Sequence, residues 1–72
     1  MTIKEKKTLA DATAQSKGFD FAIYLGDLDG LAIYHAALRD PAPTGLPLWI
    51  EIDEEGEVNS DFGFKYMELV KE

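Results

Sequence analysis

A chain of 72 residues with no cysteine and a net charge of −7 describes one small domain, and it excludes a disulfide scaffold and any thiolate zinc or iron–sulfur centre. The charge is uneven: through Lys17 four lysines oppose Glu5 and Asp11 for a net of +2, whereas from Gly18 onward three cations oppose twelve carboxylates for a net of −9. Nucleic-acid binding rests on neutralising phosphates with Lys and Arg, so this body argues against direct DNA or RNA binding and favours steered encounter with a basic protein partner.

Thr2 followed three residues later by Glu5 has the form of a capping box, in which a hydroxyl and a carboxylate each satisfy a free N–H at a helix start. Good helix formers then run without proline to Gly18, which is suited to the left-handed C-terminal stop. The expected helix spans Ile3 to Lys17. Its apolar stripe is thin (Ile3, Leu9, Ala10 and Ala14), so it should pack on a sheet by close approach of alanines. The lysines at this end have no apolar run behind them, and no apolar stretch is long enough to span a bilayer. The expectation is a cytoplasmic protein without membrane association.

Phe19, Phe21, Ile23 and Leu25 alternate with smaller or polar residues, the period of a strand. A second strand, "LAIYHAAL", follows across "DLDG". Two registers compete. A type I turn with Gly30 in a G1 bulge sets Leu25 opposite Ile33, Tyr24 opposite Tyr34 and Ile23 opposite His35. It gathers Phe21, Ile23, Leu25, Leu31, Ile33 and His35 on one face, and on that ground it is the preferred register. A two-residue type I′ turn at Asp29-Gly30 slips the second strand by one residue and reverses its faces. "RDPAPTGLP" reads as a loop, because Pro41, Pro43 and Pro47 remove backbone donors.

"LWIEID" alternates Leu48, Ile50 and Ile52 with Trp49, Glu51 and Asp53, a third strand. "DEEG" repeats the bulge logic and should place Ile52 opposite Val58 in a short fourth strand, Glu57 to Ser60. In the tail, Ser60 or Asp61 can cap a helix with Phe62, Tyr66, Leu69 and Val70 on one face, while Phe62, Phe64 and Tyr66 also alternate as in a strand. Helix is the preferred reading. The fold class is therefore α+β: a small antiparallel sheet of three to four strands with an N-terminal and a C-terminal helix, in the order α-β-β-β-(β)-α. That order resembles the double-stranded RNA-binding fold, but no basic motif accompanies it and no function follows from it.

The motifs that could carry chemistry are weak. Aligning Gly30 on the glycine of an EF-hand loop puts Leu25 first and Ala36 last, neither of which ligates through its side chain. Aligning Gly56 gives Glu51, Asp53 and Glu55 as ligands but ends on Phe62. Turn chemistry accounts for both runs, since Asp favours the start of type I turns and Gly the bulge. His35 could titrate near neutrality, but the preferred register gives it no carboxylate on its face. No nucleophile motif or phosphate-cradling loop is present, so neither an enzyme nor a resident cofactor or metal is expected.

The aromatic residues carry more. If both helices cover the aliphatic face, Tyr24, Tyr34 and Trp49 share the other face with Glu51 and Asp53, beside the Glu54-Glu55 turn. Large aromatics within a polar rim make interface anchors; if the helices divide between the faces, the same rings become core. The expected function is a non-enzymatic, acidic protein-protein interaction module of the inhibitor, antidote or adaptor type, docking a basic partner through these residues. The alternatives are a small-molecule or weak divalent-metal binding domain, with the "DPAPTG" loop lining its pocket, and a structural homodimer.

Overall fold

The structure, a computed structural model, describes residues 2–39 and 46–70. Helix α1 (Ile3–Ser16) precedes four strands, β1 (Phe21–Leu28), β2 (Leu31–Ala37), β3 (Leu48–Ile52) and β4 (Val58–Phe62), which form one antiparallel sheet in the order β1-β2-β3-β4. The α+β class and the short antiparallel sheet are as expected. The Asp40–Gly45 part of the proline loop, with the pocket assigned to it, lies outside the described residues.

The helix begins on the expected capping box: Glu5 N–H donates to Thr2 Oγ1 at 3.1 Å, and Thr2 N–H donates to Glu5 Oε1 at 2.9 Å. It ends one residue earlier than expected, with Lys17 as C-cap and Gly18 at φ 93°. Ala10 and Ala14 are fully buried against Ala22, Ala32 and Ala36 of the sheet, in one cluster with Tyr34, Leu48, Ile50 and Ile52. With methyl groups on both sides of the contact, helix and sheet approach closely, and Leu9 is the long helix side chain that packs against this core.

This face is not the one expected to receive the helix. The β2–β3 register pairs Tyr34 with Ile50 and His35 with Trp49, so the aliphatic residues of β3 lie on the side of Tyr34 and not on the side of Ile33. The alanines of β1 and β2 complete a shallow, small-residue surface there, and α1 fills it.

The two glycine turns, alike in sequence, differ in structure. "DEEG" forms the expected bulged turn: Gly56 sits at φ 89°, Ile52 pairs with Val58, and Asp53 Oδ1 accepts from the N–H groups of Glu55 and Glu57, both at 2.9 Å. "DLDG" takes the competing two-residue turn, with Asp29 at φ 53°, Gly30 at φ 80° and Leu28 paired with Leu31. Asp is among the few non-glycine residues that tolerate the left-handed region, as a type I′ turn requires at its first position; Glu55 would have to do so in "DEEG", and glutamate is poorly suited. Asp27, in turn, is bonded by the Tyr24 hydroxyl at 2.9 Å.

The slip that this turn introduces is cancelled within β1. Between Tyr24 and Gly26 the register shifts by one residue, and above the shift Tyr24 pairs with Tyr34 and Ile23 with His35, the expected partners. Gly26 at φ 142° makes the bulge accessible, because a side chain there would strain the backbone.

The tail corrects the expected C-terminal helix. β4 continues through Phe62, and Gly63 N–H extends its ladder by donating to the Pro47 carbonyl at 3.0 Å. The chain then turns back across the sheet face opposite α1 and forms only a 3-10 helix, Met67–Leu69. Gly63, at φ 138°, holds a conformation that a helix cannot include.

Candidate functional site

The second sheet face is built on cross-strand rows. One row runs Ile23, His35, Trp49, Asp61; the next contains Ile33, Glu51 and Asn59. Residues 63–70 cover the centre of this face. The Trp49 Nε1–H donates to the Gly63 carbonyl at 2.9 Å, and Tyr66 meets the indole edge-on at 5.9 Å between ring centroids. A second small core, Ile33, Trp49 and Tyr66, packs with Leu25, Leu31 and Val70.

The expected anchors are therefore separated. Tyr34 lies under α1 and Trp49 under the tail, on opposite faces and each 1% exposed, so neither ring is available to a partner. Tyr24 remains on the helix side at the β1 edge, half-exposed, with its ring 5.4 Å from that of Tyr34. The β2–β3 register is the reason: strand alternation sends Tyr34 and Trp49 in opposite directions once His35 pairs with Trp49. Burial also changes the histidine. His35 stacks on Trp49 at 4.8 Å, and desolvation holds its pKa below the ordinary 6.5, so the ring is neutral at neutral pH.

Glu51 is the centre of a small polar group on this face. Its Oε2 accepts from the Tyr66 hydroxyl and from Lys65 Nζ at 3.0 Å, and Lys65 lies 5.2 Å from the Tyr66 ring centroid. The Tyr66 bond lowers the Glu51 pKa, burial works against it, and Lys65 adds to the lowering. The charge of Glu51 is thus held and neutralised within the fold. It is a structural ion pair before it is a partner contact.

Beside this group a cleft of about 520 Å³ opens between the β1–β2 turn and the 3-10 helix. Leu28, Leu31, Leu69 and Tyr66 supply its apolar lining; Asp29, Glu68 and the already paired Glu51 and Lys65 complete it. Leu28 and Leu69 are 45% and 40% exposed. Among the described residues no cation lies within ion-pair distance of Asp29 or Glu68.

Because Ala32 pairs with Ile52, the β1–β2 and β3–β4 turns project from the same end of the sheet. Asp27, Asp29, Glu54, Glu55 and Glu57 are all exposed there, and Asp53 joins them with one oxygen committed to its own turn. Of the expected partner residues, Asp53, Glu54 and Glu55 are brought to this end, while Glu51 lies next to the cleft. Leu28, Leu69 and Glu68 were missed as site residues. Their signal was the alternative type I′ register for Leu28; the sequence held none for the tail reversal that brings up Glu68 and Leu69.

Among the described residues no three or more His, Asp or Glu side chains are grouped to hold a metal ion, and no helix is long and apolar enough to cross a membrane. In comparisons with known proteins, no family model, curated protein or solved structure matches the chain.

Proposed function

We propose that the protein is a non-enzymatic interaction module that docks a basic protein segment on the acidic end of its sheet, with an arginine or lysine side chain of that segment entering the cleft. The observation that carries this reading is an apolar cleft whose carboxylates, Asp29 and Glu68, are paired with no cation among the described residues. Long basic side chains combine an apolar stem with a charged head. In the cleft the stem would lie along Leu28, Leu31 and Leu69 while the head meets Asp29 and Glu68. Glu54, Glu55 and Glu57 add a field that speeds encounter.

The reading differs from the sequence expectation in its anchors. Leu28, Leu69 and the Tyr66 ring replace Tyr34 and Trp49, whose removal would collapse the core before it tested a surface.

The test is the affinity of a fluorescent arginine-rich peptide, measured by anisotropy over a salt series, with an acidic peptide as control. Binding of the basic peptide alone, weakening as salt rises and lost on combining Asp29→Asn with Glu68→Gln, is the expected result. Equal binding of both peptides, or binding indifferent to salt and to those changes, overturns the proposal.

A further inference from the structure

The two edges of the sheet are treated differently. At the β1 edge, α1 reaches over: Asp11 Oδ1 accepts from Ala22 N–H at 2.8 Å, which occupies an outward donor of the edge strand, and the Gly26 bulge bends the strand farther on. These are devices that blunt an edge against pairing with another chain.

Among the described residues the β4 edge has no such cover. Asp53 N–H donates to the Glu57 carbonyl and Gly63 N–H donates to the Pro47 carbonyl, so the odd-numbered residues from 57 to 63 turn their backbone groups toward β3. By alternation Val58, Ser60 and Phe62 turn theirs outward. No hydrogen bond to these outward groups occurs among the described residues. Through Val70 the tail does not shield them, because after Gly63 it reverses over the sheet face.

We infer that β4 is a self-pairing edge, and that a second copy of this chain adds to it antiparallel about a twofold axis at Ser60. This register sets Val58 opposite the second copy's Phe62, and Phe62 opposite its Val58, on the face of the sheet that carries α1. Phe62, 51% exposed beside buried Leu48, thereby gains an apolar cross-strand neighbour. On the other face Asn59 meets Asp61, so the one charged side chain of β4 never faces its own copy. Val58, Ser60 and Phe62 are every second residue, so all their pairs are hydrogen-bonded pairs and the two chains exchange about six N–H···O=C bonds. The interface is isologous and closes at two copies, since the guarded β1 edge denies an open-ended β1–β4 stack.

The inference is independent of the proposed docking of a basic partner and has the opposite salt dependence. Two bodies of charge −7 repel, and added salt screens that repulsion and tightens the dimer. Sedimentation equilibrium across concentration, at about 0.05 and 0.5 M salt, reads the mass directly, against 8.0 kDa for one chain. A dimer tightened by salt is the expected result.

Ser60→Pro removes only an outward N–H, so the monomer keeps its β3–β4 ladder, while the dimer loses two of its bonds at the axis. Its dissociation constant should rise at least about tenfold. Phe62→Lys lowers the net negative charge yet removes both apolar pairs, and should also weaken the dimer about tenfold. Glu54→Gln makes the same charge change away from the edge and should leave the dimer equal or tighter. A mass of one chain at every concentration, where the edge serves a foreign strand or none, overturns the inference. So does a dimer indifferent to Ser60→Pro and Phe62→Lys in variants whose thermal melts show a folded chain.

Discussion

Replacing Asp11 with alanine should be among the most costly single changes on the surface of this domain. One carboxylate oxygen accepts from Lys7 Nζ at 2.7 Å and from the Ala22 N–H at 2.8 Å, so it joins two turns of α1 and fastens the helix to the edge strand. Of the two bonds, the one to Lys7 is a partly exposed i,i+4 pair worth about 0.3–0.5 kcal/mol. The one to Ala22 carries the larger effect. Removing it leaves a part-buried N–H without its charged acceptor, at a cost of about 1.5–3 kcal/mol. A domain of this size has only about 3–5 kcal/mol of stability, and the change therefore consumes about half of it. With a urea m-value of about 1 kcal/mol/M, the denaturation midpoint should fall by roughly 2 M.

Asp11→Asn keeps an acceptor oxygen without its charge and should fall between, while Lys7→Met should move the midpoint by less than about 0.5 M. The effect also has a pH signature. Burial pushes the Asp11 pKa up, but the Lys7 and Ala22 bonds outweigh it and hold the group below its ordinary 3.8. A depressed folded pKa gives stability that is present above the unfolded value and is lost as pH falls through the folded one, so the Asp11→Ala deficit should shrink as pH falls below 3.8. A midpoint for Asp11→Ala within about 0.3 M of the parent at pH 7 would refute the reasoning.

Other perturbations follow from the same packing. Trp49→Ala removes a fully buried indole and its bond to Gly63, costs about 3–5 kcal/mol, and should leave the chain unfolded by far-UV circular dichroism at 25 °C. Tyr66→Phe keeps the ring against Trp49 but strips Glu51 of its hydroxyl donor, and should lower stability by about 1–2 kcal/mol in urea titration. His35 has a folded pKa below its unfolded 6.5, so the unfolded chain takes up its proton first and stability should decline as pH drops below about 6.5; His35→Gln should flatten that decline between pH 5 and 7.

Much of the fold was legible because local chemistry and pattern agreed. The capping box, the alanine face of α1 and the Asp53–Gly56 bulge each rest on residues whose preference is decided within a few positions. The candidate site was less legible because its register depends on a compensation. Asp29-Gly30 favoured one turn and the aliphatic pattern of β1 favoured another, and the chain satisfies both by a bulge at Gly26, an isolated strand glycine that is itself a bulge signal. Which face would receive α1 was decided by the pairing of β2 with β3, across a loop whose length fixes no register. Tyr34 and Trp49 looked equivalent from β2 and β3 taken singly, and only that pairing sends one under the helix and the other under the tail. The tail lies where Gly63 excludes a helix, although the spacing of Tyr66, Leu69 and Val70 permitted one.

The docking account turns on where a cationic side chain binds. Heteronuclear NMR of the labelled protein, titrated at low salt with a short peptide carrying a single arginine, locates it residue by residue. The account predicts saturable shifts at Leu28, Asp29, Leu31, Glu68 and Leu69 that vanish when Asp29→Asn and Glu68→Gln are combined. Shifts spread evenly over Glu54, Glu55 and Glu57 with none at the leucines, or no saturable shifts at all, would contradict it.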